Sequence, residues 1–92
     1  MASTIGDNIY MDYSLTEHAR NSLQKRKIPY TWVKQTVNAP EMTETDKVDP
    51  DLEHCLARIP GFENRVLRVV VNNKVQPPRI ITAFFDRRVK IS

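Results

Sequence analysis

The run Arg65-Val66-Leu67-Arg68-Val69-Val70-Val71 constrains this chain more than any other segment. It is nearly continuous in apolar β-formers, so it reads as a strand. A strand needs partners, and two further segments supply them. His54 to Pro60 precedes it, across the turn residues Pro60-Gly61 and Glu63-Asn64. Arg79 to Phe85 follows it, after a turn that runs from Asn72-Asn73 to Pro77-Pro78. Thr43, Thr45 and Val48 alternate with charges and suggest a fourth, short strand, closed by the turn signal Asp49-Pro50-Asp51. Consecutive strands joined by short turns imply an antiparallel meander.

The N-terminal half has a different period. Ser14-Leu15-Thr16-Glu17 has the spacing of a capping box, serine followed three positions later by glutamate. It predicts a helix from about Leu15 to Lys27, with Leu15, Ala19 and Leu23 as a narrow apolar stripe. Lys25, Arg26 and Lys27 suit the negative end of that helix's dipole. Pro29 stops it and can open a second helix, to about Asn38, which Ala39-Pro40 ends. Tyr30, Val33 and Val37 share one face of the second helix, with Trp32 and Thr36 on a neighbouring face. The expected architecture is α+β: two N-terminal helices packed on one face of a four-stranded antiparallel sheet, the other face open or partly covered by the tail. Residues 1–12 lack periodicity and read as a flexible lead-in to a single domain over 13–92.

Size and composition remove several function classes. A chain of 92 residues builds one modest core and cannot hold a Rossmann domain with a substrate domain, or a (β/α)₈ barrel. With glycine only at positions 6 and 61, a phosphate-cradling glycine loop is absent. One cysteine, Cys55, excludes an internal disulfide and a multi-cysteine zinc site; it shares a strand face with Ala57 and Ile59 and reads as a buried thiol. No cofactor or metal is expected. No apolar run reaches membrane-helix length, and residues 1–10 do not read as a secretory signal. The expectation is a cytoplasmic protein with no membrane partner.

The net charge of +3 hides a segregation. Residues 41–53 carry six carboxylates against Lys47 alone, whereas residues 54–92 carry eight cations against Glu63 and Asp86. Six of those eight cations are arginines, whose planar fork grips phosphate in two places. Two readings compete. In one, the acidic segment salt-bridges the basic sheet; in the other, the arginines form an RNA-facing surface. Strand parity puts Arg58 with His54 and opposite Cys55, Ala57 and Ile59, and puts Arg68 with Val66 and Val70. Both guanidinium groups would then lie side by side on the open face. The RNA reading requires that they be gathered there and not already locked to carboxylates.

Several segments together carry a resemblance: Leu15-Thr16-Glu17-His18-Ala19-Arg20, Arg26-Lys27-Ile28-Pro29, Val33 to Pro40, Arg58-Ile59-Pro60, Arg65 to Val70, and Ile81-Thr82-Ala83-Phe84-Phe85-Asp86-Arg87-Arg88. In these the chain resembles the bacterial family called domain of unknown function 4258, over about residues 13–90. That family is in turn distantly similar to the RelE/ParE-like toxins and the wider barnase–colicin–RelE ribonuclease fold. The resemblance implies a RelE-like arrangement of two helices on a four-stranded antiparallel sheet. It also implies RNA or the ribosome as a partner and an acidic antitoxin as a neutralising one. Members of the wider group include RNA-cleaving toxins and non-nucleolytic inhibitors, so fold alone does not choose an activity.

Metal-free RNA cleavage needs an acid and a base near the scissile phosphate and cations around the phosphorane. Of the two histidines, His18 belongs to the family-like motif and is the candidate for proton transfer, with Arg58 and Arg68 as phosphate clamps. Arg20, Arg26, Arg65, Thr82, Arg87 and Arg88 are candidate RNA contacts. His54 reads as an exposed or ion-paired residue at a strand start. Trp32, Tyr30, Phe84 and Phe85 read as core more readily than as base-stacking platforms. Two functions follow: a toxin-like, metal-independent endoribonuclease, or a non-catalytic module that binds protein or nucleic acid. Pairing of acidic and basic faces between two copies of the chain is a third possibility.

Overall fold

The computed structural model describes residues 13–91; the lead-in expected over residues 1–12 lies outside them. The elements run β1 (Ser14–Leu15), α1 (Glu17–Arg26), α2 (Tyr30–Asn38), β2 (Met42–Thr45), β3 (Leu52–Ile59), β4 (Arg65–Asn72) and β5 (Arg79–Phe85). A 3-10 turn at Pro60–Phe62 joins β3 to β4. The strands form one sheet in the order β1-β5-β4-β3-β2. The α+β class, the helix pair and the β2–β5 meander agree with the sequence reading, although β2 ends before Val48 and β3 begins two residues earlier, at Leu52.

The four-stranded antiparallel sheet is corrected to a five-stranded mixed one. Ser14 and Leu15 pair in parallel with Arg79 and Ile80 of β5. The Ser14 N–H donates to the Pro78 carbonyl at 3.0 Å, and the Thr16 N–H to the Ile80 carbonyl at 3.1 Å. Ser14 is thus extended and engaged with the sheet, so it is not the helix cap. Thr16 is: its hydroxyl oxygen accepts the Ala19 N–H at 3.0 Å and its O–H donates to the Ile81 carbonyl at 3.2 Å. One threonine both starts α1 and ties it to β5. A two-residue strand has no periodicity to read, and Ser14 and Thr16 are both good caps by type.

At its other end α1 stops where Lys27 turns left-handed (φ 56°), with its N–H directed to the Gln24 and Leu23 carbonyls. Pro29 caps α2 without a side-chain bond. Helix α1 lies against β5, and α2 against β3 and β4. Ala19, Leu23, Ile28 and Val33 close over Cys55, Leu67, Val69, Val71, Ile80 and Ala83. Tyr30, Trp32 and Val37 pack at the edge of this core.

Ile80 is in that core because of a β-bulge. Val70 pairs with Thr82 but Val71 pairs with Ile80, so Ile81 is an extra residue in β5. Strict alternation would put Ile80 on the face of Thr82 and Phe84; the bulge turns it to the helix side, where it is fully buried.

The outer face is built in rows across the strands. Glu44, His54, Val70 and Thr82 form one row; Met42, Leu56, Arg68 and Phe84 the next; Arg58 and Val66 a third. Leu56 is wholly buried there although it points away from the helices.

Thr16→Ala is expected to cost about 1 kcal/mol of stability, and Ser14→Ala clearly less. Urea unfolding of the two variants checks this; equal losses would return the cap to Ser14.

Candidate functional site

The acidic segment of residues 41–53 contains β2 and folds directly onto β3, so its carboxylates reach the arginines of the outer face. Glu41 accepts the backbone N–H of Arg58 at 2.7 Å, and its Oε2 accepts the guanidinium at 2.6 Å. Arg68, with a side chain 12% exposed, is the node of a larger network. Its Nε donates to Oδ2 of buried Asp86 at 3.0 Å, and its Nη1 donates to Glu44 at 3.1 Å and to His54 Nδ1 at 2.8 Å. Asp86 also accepts the side chain and backbone N–H of Arg88 at 3.1 and 3.0 Å.

The contacts of His54 define its tautomer. A guanidinium can only donate, so Nδ1 is the acceptor and Nε2 carries the proton. That N–H donates to Asp46 Oδ1 at 2.7 Å. The other oxygen of Asp46 accepts the backbone N–H groups of Val48 and Asp49. Both ring nitrogens of His54 are therefore engaged, and its one basic lone pair is covered by Arg68. His54 is hydrogen-bonded on both sides, neither exposed nor, as this tautomer, ion-paired; it links β3 to Arg68 of β4 and to Asp46 just after β2.

Three carboxylates are held far below their ordinary range. Glu41 lies at about 2 because the Arg58 side chain and backbone N–H donate to it. Asp46 lies at about 2, chiefly through the backbone N–H of Asp49, then His54 and the N–H of Val48. Asp86 also lies at about 2, chiefly through the Arg88 side chain, with the Arg88 N–H and Arg68 adding to it and burial opposing. Such groups stabilise the fold above their ordinary values, and the benefit disappears as pH falls from about 4.5 towards about 2.

Sequence reasoning placed Arg58 and Arg68 on one face, and the structure does so. It does not bring His18 to them. His18 is exposed on α1, its Nε2 3.5 Å from the Ser22 hydroxyl, and α1 lies on the opposite side of the sheet. Arg20 and Arg26 are exposed on the same helix, also away from the outer face. Thr82 is half-buried in the row of His54. Arg58 and Arg68 are locked to Glu41 and Glu44 of the acidic segment, so the salt-bridged reading describes these two and they are not the open phosphate clamps the RNA reading required; Arg88 is held by Asp86, outside that segment. Glu41, Glu44, Asp46, His54 and Asp86 were not singled out as site residues. The abrupt change from acidic to basic sequence at residue 54 was the available signal for them.

Two clefts mark the outer side. One, of about 610 Å³, opens over the network and is lined by Glu44, Asp46, His54, Arg68, Phe84 and Arg88. The other, of about 420 Å³, lies between the β3–β4 turn and the C-terminal segment. Arg58, Arg65, Arg87 and Lys90 line it against Glu63 and Asp86, over the apolar Val66 and Phe85. Among the described residues, Arg87 and Lys90 have no ion-pair partner. Arg65 has only a 3.4 Å contact with the exposed Glu63. This second cleft therefore gathers three cations, Arg65, Arg87 and Lys90, that the acidic segment does not neutralise. No group of three or more His, Cys, Asp or Glu among the described residues is placed to hold a metal.

Cys55 is buried beneath the helices, and burial, with Glu53 nearby, pushes its thiol up to about 11. It has no character of a nucleophile.

The class is now defined: a small α+β domain in which a helix pair covers one face of a mixed sheet and a carboxylate–arginine network lies across the other. The profile of the family described as Domain of unknown function (DUF4258) matches residues 15–85, and the chain belongs to that family. No curated protein and no solved structure matches it. No helix among the described residues is long and apolar enough to cross a membrane.

Asp86→Asn removes the carboxylate nearest to the half-hidden Arg68 guanidinium. At pH 7 it is expected to cost about 3 kcal/mol, as breaking a buried pair does. Stability of the native protein should fall as pH drops from about 4.5 to about 2, and more shallowly in the variant. Urea midpoints across that range measure both. Native Cys55 should resist iodoacetamide at pH 8 and react on unfolding, read by mass spectrometry.

Proposed function

We propose that this DUF4258 domain binds RNA by its phosphate backbone, without cutting it, in the cleft between the β3–β4 turn and the C-terminal segment. The observation that carries this reading is the surplus of cations there. With Arg58 neutralised by Glu41, the cleft still offers Arg65, Arg87 and Lys90 against Glu63 and Asp86, and Arg87 and Lys90 have no ion pair among the described residues. Phosphate contacts of this kind give affinity that depends on salt and little on sequence. The ligand class, RNA or the ribosome, is the one expected from the distant resemblance to RelE/ParE-like toxins, a resemblance that no solved structure's match supports; cleavage is left aside. His18 stands on the far side of the sheet from Arg58 and Arg68, and His54 has both nitrogens engaged. An acidic protein partner, such as an antitoxin, would meet the same cations and compete with RNA.

Binding of a short RNA followed by fluorescence anisotropy tests this. Affinity should fall linearly with the logarithm of salt concentration, and the Arg87→Ala/Lys90→Ala double variant should lower the slope by about 1.5. Absence of binding at low salt, or an unchanged slope, would sink the proposal. Cleavage of the RNA that disappears in both His18→Ala and Arg58→Ala would instead restore the endoribonuclease reading.

A further inference from the structure

The 3-10 turn at the mouth of the cationic cleft exposes an aromatic ring. Phe62 is 36% exposed, one of two large apolar side chains that stand out among the described residues. The ring is not loose. Its centroid lies 4.8 Å from that of Phe85 and 5.8 Å from that of Trp32, and Phe85 and Trp32 lie 6.2 Å apart. Phe62 is thus backed by two half-buried aromatic rings that pack against the core. Its backbone is held as well, because the Asn64 N–H donates to the Ile59 carbonyl at 3.0 Å and closes the turn around it. The Arg65 guanidinium lies over the ring, 4.7 Å from its centroid. Phe62 does not line the cleft itself, but Arg65 and Phe85, which both touch its ring, do, so the ring adjoins the cleft.

A rigid, half-exposed aromatic ring beside a cationic groove is the arrangement that holds unpaired bases: phosphates follow the cations and a base stacks on the ring. A base paired within a duplex keeps its faces inside the helical stack and cannot use such a ring. We infer that Phe62 is a base-stacking platform and that the RNA held in this cleft is single-stranded. This deepens the backbone-binding reading and rests on it. Arg65 gives the site two settings. In the free protein its guanidinium occupies the ring, held otherwise only by the 3.4 Å contact with exposed Glu63. With RNA present, the base takes that place on Phe62 and Arg65 turns to the adjoining phosphate.

The experiment compares an unstructured RNA with a duplex of equal length, at one low salt concentration, by anisotropy. The unstructured RNA should bind wild-type protein about tenfold more tightly. Phe62→Leu keeps apolar bulk but removes the ring; it should lose most of that advantage and leave duplex affinity unchanged. Phe62→Tyr should retain it, and thermal unfolding of both variants confirms that they fold. Arg87→Ala/Lys90→Ala should weaken both RNAs alike. Equal affinity of wild type for the two RNAs, or a Phe62→Leu effect shared by the duplex, overturns the stacking inference alone. Failure of both RNAs to bind overturns the backbone reading and this inference together.

Discussion

Strand β4 is apolar in both directions, and that constraint organises the domain. Leu67, Val69 and Val71 point to one side and are wholly buried; Val66 and Val70 point to the other and are buried too. Helices cover the first side. The second has no helix, yet Leu56 is fully sequestered there. Its row is completed by Met42, Arg68 and Phe84, so an arginine forms part of the cover. Arginine can do this because its stem is apolar and only its head needs partners. The head of Arg68 finds them in Asp86, Glu44 and His54. Each of those comes from a different strand or strand end, so the network also fixes how β2 and the end of β5 sit on the central pair.

This dependence explains why an acidic segment precedes a basic sheet. A guanidinium that covers apolar surface is partly removed from water and must be compensated. Glu44 and Asp86 compensate Arg68 and Glu41 compensates Arg58, and the lowered proton affinities of Glu41 and Asp86 reflect the arginines beside them. The charge segregation is first a folding device. Some of the cations left over gather at the end of the sheet, where the C-terminal segment passes the β3–β4 turn. Among the described residues Arg87 and Lys90 have no ion pair, and Arg65 lies over an aromatic ring with only a 3.4 Å contact to a carboxylate.

Much of this was legible in the sequence, and the reason differs by element. The runs at 65–71 and 79–85 declare themselves because they are rich in β-formers, and 54–60 because its apolar residues alternate between turn signals. Both helices are marked by proline at their ends and by apolar spacing. Parity alone placed Arg58 and Arg68 together, and the structure agrees. The cationic cleft was half visible: Arg65 and Arg87 were candidates, whereas Lys90 and the turn aromatic Phe62 were not. Phe62 lies in a turn of its own, and only packing against Trp32 and Phe85 makes it part of a surface.

The sequence by itself determined the class of the fold, the order of its main elements and the faces of β3 and β4, because these depend on local preference and a period of two. Tertiary structure alone decided the rest. Whether Ser14 or Thr16 caps α1 depended on which backbone groups β5 offered to the incoming chain. The side on which Ile80 lies depended on one unpaired residue in the β4–β5 ladder. Which arginines are neutralised and which are not depended on where each carboxylate lies on the folded sheet. Distances between residues remote in sequence are set by packing, and no local pattern encodes them.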